Sequence, residues 1–339
     1  MANMQDIADK AGVSAKTVDN VLNDKGNVSD KTKKKVLAVA KELSYDPKTA
    51  SVSLGSPKDK GPKIGFVSFS EEDQRHKDLK AGMNERMEDA GYHADLIVKE
   101  TPMYADAQLA AIDEVCKAGI KGLLLTPYDD ERIVAKIEEL TKKNIPVVTV
   151  CSDIEGSKRI AYVGSDNMRL GQTVGALLGL ISGGNAEVGI ITGSREVLGQ
   201  EQRIAGFLEK IHKEYPGISV ETIAECKNED YKCYDTLQRI AFDFPTISSF
   251  IFIAGGVGGG CKALYQMTAR PNYHIITIDE IAATVEYMNK GIITAAICQE
   301  PRRQGAIALT ILIDAINGKK QPEAEFNYTD INIRIKENI

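Results

Sequence analysis

The chain has 339 residues, of which 43% are hydrophobic and 27% are charged. This length exceeds one ordinary compact unit and this composition excludes wholesale disorder, so we expect a small domain joined to a larger two-lobed body. The net charge of −6 is unevenly distributed: residues 1–60 carry eleven lysines against eight carboxylates, a net charge of +3 that leaves −9 for the remainder. Only the first sixty residues are therefore suited to approach a polyanion.

Several protein classes lack support in the sequence. The six cysteines show no C-x-x-C spacing and the four histidines form no ligand motif with them, so we expect reduced thiols, no metal and no other cofactor. The N-terminal residues lack the basic and apolar stretches of a signal peptide, and no run of about 18 apolar residues occurs. We therefore expect a cytoplasmic protein that does not associate with a membrane.

Two short helices joined by a tight turn are predicted at the N-terminus. The apolar residues of Met4–Ala11 share one face, and Gly12 ends this helix as glycine commonly does at a helix C-terminus. Ser14 is placed to N-cap a second helix, residues 15–22, which has one buried stripe and one free face. This arrangement predicts a helix-turn-helix, whose second helix has the size to enter a DNA major groove.

A third helix completes an N-terminal domain that we place at residues 1–46. Ser29 is positioned to cap this helix, which we predict from Asp30 to Leu43 with three consecutive lysines largely outward. The apolar residues expected to face inward are Val36, Leu37, Ala40 and Leu43. Periodicity alone also allows a plain three-helix bundle with no role in binding DNA.

The residues of this domain resemble a known family. The runs that carry the resemblance are Asp6-Ile-Ala-Asp-Lys-Ala-Gly-Val-Ser14, Thr17-Val18, Val21-Leu-Asn23, Val28-Ser29 and Leu43-Ser-Tyr-Asp-Pro47. Together they resemble the N-terminal signature of the lactose-repressor (LacI/GalR-type) family of bacterial transcription regulators. The resemblance implies base-reading positions at Ala15, Lys16 and Asn20, and phosphate-facing positions at Ser14, Thr17, Asn23 and Tyr45, with Asn3 standing where the family usually has Thr.

The chemistry of the second helix supports base reading at two of these positions. Asn20 can pair with an adenine edge through two hydrogen bonds, and Lys16 can donate to guanine. Asp19 stands where the family commonly has a small Ser, and Asn20 replaces a frequent Arg. We therefore expect a DNA-binding fold whose operator departs from the family consensus.

Residues 47–61 are predicted to link the two domains. Pro47 ends the third helix, residues 48–54 can form one short helix, and the glycine- and proline-containing run that follows cannot continue it. In the family this link is a hinge helix that orders on DNA and inserts a Leu into the minor groove, and Leu54 matches that position. Val52 stands where Arg is common. An unstructured tether is the alternative.

From residue 62 to residue 339 the pattern is a β-α alternation. We predict a helix at 78–91 and strands at 63–69, 93–98, 122–126, 146–150, 160–164, 187–192, 249–254, 274–279 and 294–298. These strands are continuously apolar, which predicts parallel sheets covered by helices on both faces. Their number favours two doubly wound lobes with a ligand cleft between them, at the carboxyl ends of the strands.

No enzyme signature is found in this body. The run from Gly255 to Gly260 follows a strand and precedes a helix, but it fits neither a P-loop nor a dinucleotide-binding motif. We interpret it as flexibility or close approach to a ligand, with an anion-cradling loop as the alternative. No nucleophile elbow or metalloprotease motif occurs, so we do not expect an enzyme.

The body resembles the sugar-binding fold shared by this regulator family and periplasmic sugar receptors. The likeness is carried by Asn144-Ile-Pro-Val-Val-Thr-Val150, Val163-Gly-Ser-Asp-Asn167, Gln202-Arg-x-x-Gly-Phe207, Ile278-Asp279 and Gln299-x-Pro-x-x-x-Gly305. By position, the resemblance implies effector contacts at Asp73, Arg75, His76, Tyr128, Asp153, Arg203, Asp279 and Gln299. Carboxylates and a guanidinium suit polyols because each can bind two neighbouring hydroxyls.

Two of these positions depart from the pattern for neutral sugars. Arg75 and His76 replace aromatics that often stack on a sugar ring, which favours a charged or acidic sugar derivative. The alternative is that both belong to a solvent-facing polar run. We expect a homodimeric regulator, a repressor in our interpretation, that binds a near-palindromic operator and responds to a small carbohydrate or derivative. A sugar receptor or transport binding protein is the alternative suggested by the body alone.

Overall fold

The computed structural model describes residues 4–22, 28–42, 61–69, 74–267, 272–319 and 324–339. The chain divides into two compact units, residues 1–61 and residues 62–339. Predicted features that lie outside the described residues are Asn3, Asn23, Leu43, Tyr45, the short linker helix with Leu54, and Asp73.

The first unit contains three helices in its described part: α1 (Met4–Ala11), α2 (Ala15–Leu22) and α3 (Asp30–Glu42). Gly12 adopts a left-handed φ of 61° after α1, as expected of a residue that ends a helix. The small core that the three helices share consists of Ile7, Ala8, Ala11, Val18, Val21, Val36 and Ala40.

One predicted core residue of this unit lies outside the core. Leu37 is 52% exposed, whereas the neighbouring Val36 is fully buried. The prediction that Leu37 faces inward is therefore wrong. Adjacent helical residues point about 100° apart, and the helix presents Val36 and Ala40 to the core instead.

The second unit consists of two lobes, each built on a sheet with the doubly wound arrangement predicted from the sequence. The N-lobe sheet has the order β11-β5-β4-β3-β1-β2 and is parallel throughout. Its strands are β1 (Lys63–Phe69), β2 (Asp95–Thr101), β3 (Gly122–Leu125), β4 (Val147–Val150), β5 (Ala161–Gly164) and β11 (Phe326–Tyr328). Helices α4 (Gln74–Asp89) and α12 (Pro301–Ile316) cover one face, and α5 (Ala105–Lys117) and α6 (Glu131–Lys142) cover the other.

The C-lobe sheet has the order β12-β10-β9-β8-β6-β7 and is parallel except for the β10–β12 pair. Its strands are β6 (Asn185–Thr192), β7 (Gly217–Glu225), β8 (Ser249–Phe252), β9 (His274–Ile278), β10 (Ala295–Cys298) and β12 (Asn332–Arg334). Helices α7 (Asn167–Ile181) and α8 (Leu198–Glu214) cover one face, and α9 (Asp230–Asp243), α10 (Val257–Gln266) and α11 (Ala282–Asn289) cover the other.

The chain crosses between the lobes three times within its described residues: after β5, after β10 and after β11. A buried hydrogen-bond network ties the crossovers together. Gln304 donates to the Gln299 carbonyl at 2.6 Å and to the Thr329 hydroxyl at 3.0 Å, and the Thr329 hydroxyl bonds the same carbonyl at 2.9 Å. The crossovers therefore form a defined hinge between the lobes.

The sequence predicted most strands of the body within a few residues but missed β7, β11 and β12. The helix predicted at 78–91 begins at Gln74 instead, so Arg75 and His76 lie in its first turn. The glycines at 258–260 are explained by packing, because a Cβ at Gly259 would lie 1.8 Å from the Asp230 carbonyl oxygen of α9. Contact with α9 therefore requires glycine at position 259.

Helices α7 and α8 also pack closely through glycine. A Cβ at Gly171 would lie 2.0 Å from the Arg203 carbonyl oxygen. We expect Gly171→Val to lower the free energy of unfolding by at least about 3 kcal/mol, because the two backbones would have to separate. Urea unfolding followed by circular dichroism measures the change. Leu180→Phe, at a position on the same helix that is 75% exposed, is the control and should leave stability unchanged. Equal stability of Gly171→Val and the parent would contradict this packing.

Candidate functional site

The first candidate site is the start of α2 in the N-terminal unit. Ser14 caps this helix, accepting the Thr17 amide at 3.2 Å, and the two hydroxyls are hydrogen-bonded at 2.9 Å. Ser29 caps α3 through Thr32 in the same way, with distances of 3.3 Å and 2.8 Å. Both predicted caps are therefore present. Ser14 is exposed. Thr17, in the first turn of α2, and Asn20, further along the same helix, are half-buried.

Of the remaining predicted DNA contacts, only Ala15 and Lys16 lie within the described residues. Ala15 and Lys16 belong to the first turn of α2, next to the Ser14 cap. Val18 and Val21 of the same helix are buried in the core, which leaves the opposite side of α2 for other contacts. A short helix anchored by one apolar stripe and capped at its N-terminus is the geometry of a helix that reads a major groove.

The second candidate site is a cleft between the two lobes of the body. The centre of a water-sized sphere can occupy about 70 Å³ of this cleft. The ends of β1, β3 and β4 and the beginnings of α4 and α8 contribute to its walls. Of the predicted effector contacts, Arg75, His76 and Arg203 line this cleft.

Arg203 is the central buried polar residue of the cleft. Its side chain, on α8, is only 4% exposed and donates to Asn167 Oδ1 at 2.8 Å, the Ile253 carbonyl at 3.0 Å and Gln299 Oε1 at 2.8 Å. Burial lowers the pKa of this guanidinium, and the nearby Asp279 carboxylate opposes the change. Three of the five N–H groups of an arginine are thus held by protein, and the fork is fixed before a ligand arrives.

Asp279 and Gln299 continue this network. Gln299 Nε2 donates to Asp279 Oδ1 at 2.8 Å, and Asp279 Oδ2 lies 3.5 Å from Arg75 Nε of the opposite lobe. Asp279 has a left-handed φ of 70°, a conformation that is uncommon for non-glycine residues. Asp279 and Gln299 line a second, larger cavity of about 570 Å³ by the same measure, and Arg75 lines both cavities. Arg75 therefore stands between the cleft and the Asp279 carboxylate.

His76 is held within the N-lobe. Its ring stacks on Phe66 with centroids 5.0 Å apart, and its nitrogens lie 2.9 Å from Ser68 Oγ and 2.9 Å from Glu100 Oε1. The side chain is 4% exposed, so His76 does not belong to a solvent-facing run. His76 lines the cleft, while both of its ring nitrogens lie against protein groups.

Two further predicted contacts line neither cavity. Asp153 forms a double hydrogen bond with Arg159, both distances being 2.5 Å, and accepts from Thr149 at 2.7 Å. Tyr128 follows β3 but donates its hydroxyl across the cleft to Glu196 of the C-lobe. That carboxylate raises the pKa of Tyr128 to about 12. These residues bind other parts of the protein.

Several lining residues were missed from the sequence. They are Phe69, Thr126, Ser152, Gln200 and Asn228. Phe69 ends β1, Thr126 and Ser152 lie within two residues of the ends of β3 and β4, and Gln200 lies in the first turn of α8. Position at a strand end or a helix start is the signal that could have identified these four. Asn228 also donates to Met103 Sδ of the opposite lobe at 3.2 Å, a further contact that bridges the cleft.

We expect the Tyr128–Glu196 hydrogen bond to hold the two lobes together. Because Tyr128→Phe removes a bridging hydrogen bond worth about 1 kcal/mol at a partly exposed position, we expect the ratio of closed to open forms to fall about fivefold. In the absence of ligand, small-angle X-ray scattering should show a larger radius of gyration for Tyr128→Phe than for the parent. Tyr104→Phe, at a 53% exposed site, should leave scattering unchanged. Identical curves for Tyr128→Phe and the parent would show that this contact does not hold the lobes.

Two further features bear on the chemistry of the chain. All six cysteines are free thiols, four of them buried. Within the described ranges, no group of His, Cys, Asp and Glu side chains is arranged to hold a metal ion. None of the helices described is both long enough and apolar enough to cross a membrane.

Comparison with known families gives two matches. Residues 64–320 match the periplasmic binding protein domain. Residues 3–48 match the bacterial regulatory proteins of the lacI family. The two matched segments lie in the second and the first unit of the fold, respectively.

Among relatives, the chain is 27% identical over 331 residues to the HTH-type transcriptional repressor PurR of Serratia proteamaculans, covering 95% of this chain and 92% of that protein. It is 24% identical over 209 residues to the HTH-type transcriptional regulator DegA of Bacillus subtilis, covering 61% of this chain and 60% of that protein. The similarity to PurR thus extends through both units.

Two solved structures share the fold of the body. GanP, a glucose-galactose binding protein from Geobacillus stearothermophilus, has a TM-score of 0.76 at 26% identity over 83% of this chain and 99% of its own. An ABC transporter solute binding protein from Burkholderia graminis, in complex with D-arabinose, has a TM-score of 0.76 at 21% identity over 83% of this chain and 98% of its own. The body therefore has the two-lobe fold of these binding proteins.

Proposed function

The chain belongs to the periplasmic binding protein domain family and carries an N-terminal lacI-family domain, and from this membership we propose that a sugar-type effector in the cleft controls its binding to operator DNA. It is a DNA-binding transcription regulator. We assign it as a repressor that acts in the cytoplasm as a homodimer. The two heads of such a dimer would meet a near-palindromic operator.

The observation that supports this proposal is that both units occur in one chain. A capped helix-turn-helix supplies the DNA-reading element, and the body supplies a cleft whose arginine fork is already fixed by Asn167, Ile253 and Gln299. A binding protein that served transport alone would have no need of the first unit. The relatives PurR and DegA, by their names, are transcription regulators, which supports the same assignment.

The proposed effector contacts combine the two lobes. Arg203, Asp279 and Gln299 form one connected polar surface on the C-lobe side, and Arg75 and His76 approach from the N-lobe. Forked groups of this kind can each bind two neighbouring hydroxyls of a polyol. Asp73 remains a proposed contact from the residue preceding α4, whereas Tyr128 and Asp153 are proposed to act by holding the walls of the cleft.

The proposed mechanism is a coupling of lobe closure to head position. A ligand that contacts both lobes stabilises one lobe arrangement, and the hinge at Gln304 and Thr329 transmits the change along the crossovers. In a dimer, this would alter the spacing of the two linkers and heads, with Leu54 contacting the minor groove. Coupling of this kind is reciprocal, so operator DNA must also change effector affinity.

Operator selection with the full chain tests the proposal. Purified protein is incubated with fragments of the source genome, and enriched fragments are sequenced with and without candidate sugars. We expect near-palindromic fragments whose retention changes when a ligand binds. A chain lacking residues 1–61 is the control, and it should retain ligand but enrich no fragment. Failure of the full chain to enrich DNA under any condition would refute the regulator assignment.

A further inference from the structure

Three of the six cysteines belong to one hydrophobic core of the C-lobe. Cys226 follows β7, Cys233 lies in α9 and Cys261 lies in α10, and all three are buried free thiols. A Cβ at Gly256 would lie 2.8 Å from Cys226 Sγ and 3.1 Å from Cys233 Sγ, so the two sulfurs flank the same point. These two thiols are hydrogen-bonded to each other. Cys226 and Cys233 therefore form a contacting pair.

The surroundings of Cys226 favour a thiolate. Its sulfur accepts a hydrogen bond from Cys233, and the Asn228 and Glu229 amides at the beginning of α9 also donate to it. These donors lower the pKa of Cys226 against the effects of burial and of the Asp230 carboxylate. The same hydrogen bond, together with burial, raises the pKa of Cys233. A thiolate at a helix N-terminus beside a protonated thiol is the arrangement of a nucleophile and its resolving partner.

Cys226 lies directly beneath the protein surface. Its chain neighbours, Glu225 and Lys227, are both exposed and form a salt bridge at 3.0 Å. Lys227 and Asn228 have left-handed φ values of 54° and 61°, a conformation that is uncommon for non-glycine residues and disfavours this loop arrangement. We therefore expect a local movement of residues 227–229 to admit a small oxidant to the Cys226 sulfur.

The same loop supports the cleft. Asn228 lines the cleft, accepts the Gly255 amide at 2.9 Å through Oδ1 and donates to Met103 Sδ of the N-lobe at 3.2 Å. Its side chain fits closely, because a Cβ at Gly193 would lie 2.1 Å from its Oδ1. The Cys226 thiol donates to the Gly255 carbonyl at 3.6 Å. A movement of Cys226 would therefore displace Asn228 and loosen its bond to Met103.

We propose that Cys226 and Cys233 are a redox-active pair that a peroxide converts to a reversible disulfide, and that this disulfide opens the cleft through Asn228. The Cys226 thiolate attacks one peroxide oxygen, which forms a sulfenic acid and releases hydroxide. The Cys233 thiol then attacks the sulfenic sulfur and displaces its oxygen as water. In total, two thiols lose two electrons and two protons, and one hydrogen peroxide becomes two waters.

Formation of the disulfide changes the loop because the two sulfurs must move from hydrogen-bond contact to covalent distance. Cys226 is thereby drawn toward α9, and Asn228 is withdrawn from Met103. Disulfides in the cytoplasm, where we place the chain, are usually transient and serve catalysis or redox sensing. The inference does not depend on which ligand the cleft binds.

Peptide mapping of the full chain tests the disulfide. Reduced protein is treated with hydrogen peroxide, free thiols are blocked with N-ethylmaleimide, and a tryptic digest is analysed by mass spectrometry without reduction. Trypsin places the three cysteines in separate peptides, residues 214–227, 233–239 and 240–262. We expect the first two peptides to be linked and dithiothreitol to separate them. Absence of this link, or a link between the second and third peptides instead, overturns the pair.

Single substitutions test the roles of the two thiols. In Cys233→Ala the sulfenic acid on Cys226 has no resolving partner, so dimedone should label Cys226 after peroxide treatment. In Cys226→Ala we expect at least about tenfold less label on Cys233, because its thiol stays protonated. Equal labelling of the two variants would overturn the assignment of Cys226 as the nucleophile.

Small-angle X-ray scattering tests the effect on the cleft. Peroxide should increase the radius of gyration of the parent, and dithiothreitol should restore it. Cys226→Ser should not respond to peroxide, whereas Cys116→Ser, a control in α5 of the N-lobe, should respond as the parent does. A mapped disulfide with unchanged scattering would overturn control of the cleft. Failure of the chain to enrich operator DNA would refute the regulator assignment and leave these results unaffected.

Discussion

Arg203→Met is expected to lower the free energy of unfolding of the body by about 3–5 kcal/mol and to abolish effector binding. The substitution keeps most of the side-chain length but leaves Asn167 Oδ1, the Ile253 carbonyl and Gln299 Oε1 without their donor. Each buried acceptor that loses its partner costs about 1–3 kcal/mol. The loss of a fixed positive charge also leaves the Asp279 carboxylate less compensated.

Urea unfolding by circular dichroism and calorimetry with the cognate ligand measure the two effects. Arg203→Lys separates charge from geometry, because an ammonium retains the charge but cannot bond three acceptors in one plane. We expect it to recover part of the stability and little of the binding. Arg239→Met, on the exposed side of α9, should match the parent in both measurements. Parental stability of Arg203→Met would refute its role as the hub of the network.

Val18→Asn is expected to unfold the N-terminal unit and to lower operator affinity by at least about a hundredfold. Val18 is fully buried in a core of seven small and medium side chains. An amide there has no partner within the described residues and costs about 3 kcal/mol, comparable to the total stability of a domain of this size. The body should remain folded and bind effector normally, because it is a separate compact unit.

Leu37→Asn provides a matched control on the same domain. Leu37 is 52% exposed, so the same apolar-to-amide change should alter stability by about 0.5 kcal/mol or less and leave operator affinity within a few fold. Fluorescence anisotropy with a selected operator measures the operator affinity of both variants. Calorimetry measures effector binding, which should be near-parental in both. Strong operator binding by Val18→Asn would contradict the assignment of this core, and loss of binding in Leu37→Asn would assign Leu37 a contact of its own.

The two experiments address different levels of organisation. Val18 tests a local core of short helices, whose pattern is visible in any stretch of about eight residues. Arg203 tests a network assembled from α7, α8 and the segments that follow β8 and β10, which lie far apart along the chain. The first kind of feature was predicted well, with both serine caps and the helix-ending Gly12 confirmed.

The strands show the same division. Continuously apolar strands such as β1 and β6 were predicted because burial on both faces imposes an unbroken apolar run. The edge strand β7 was missed because its burial alternates, and β11 and β12 have three residues each, too few for a periodic signal. These two short strands nevertheless set the last crossover of the hinge, because β11 joins the N-lobe sheet and β12 joins the C-lobe sheet.

The amino-acid sequence by itself determined the helix-turn-helix, the doubly wound class of the body and the family resemblance, because periodicity, capping and buried strands are local properties of the chain. Only the tertiary structure decided which polar residues reach the cleft. Asp153 binds Arg159 and Tyr128 binds Glu196, whereas Ser152 and Thr126 line the cleft and their hydroxyls have no hydrogen-bond partner among the described residues. A side chain is available to a ligand only if no neighbour satisfies it first, and those neighbours are set by packing between distant segments.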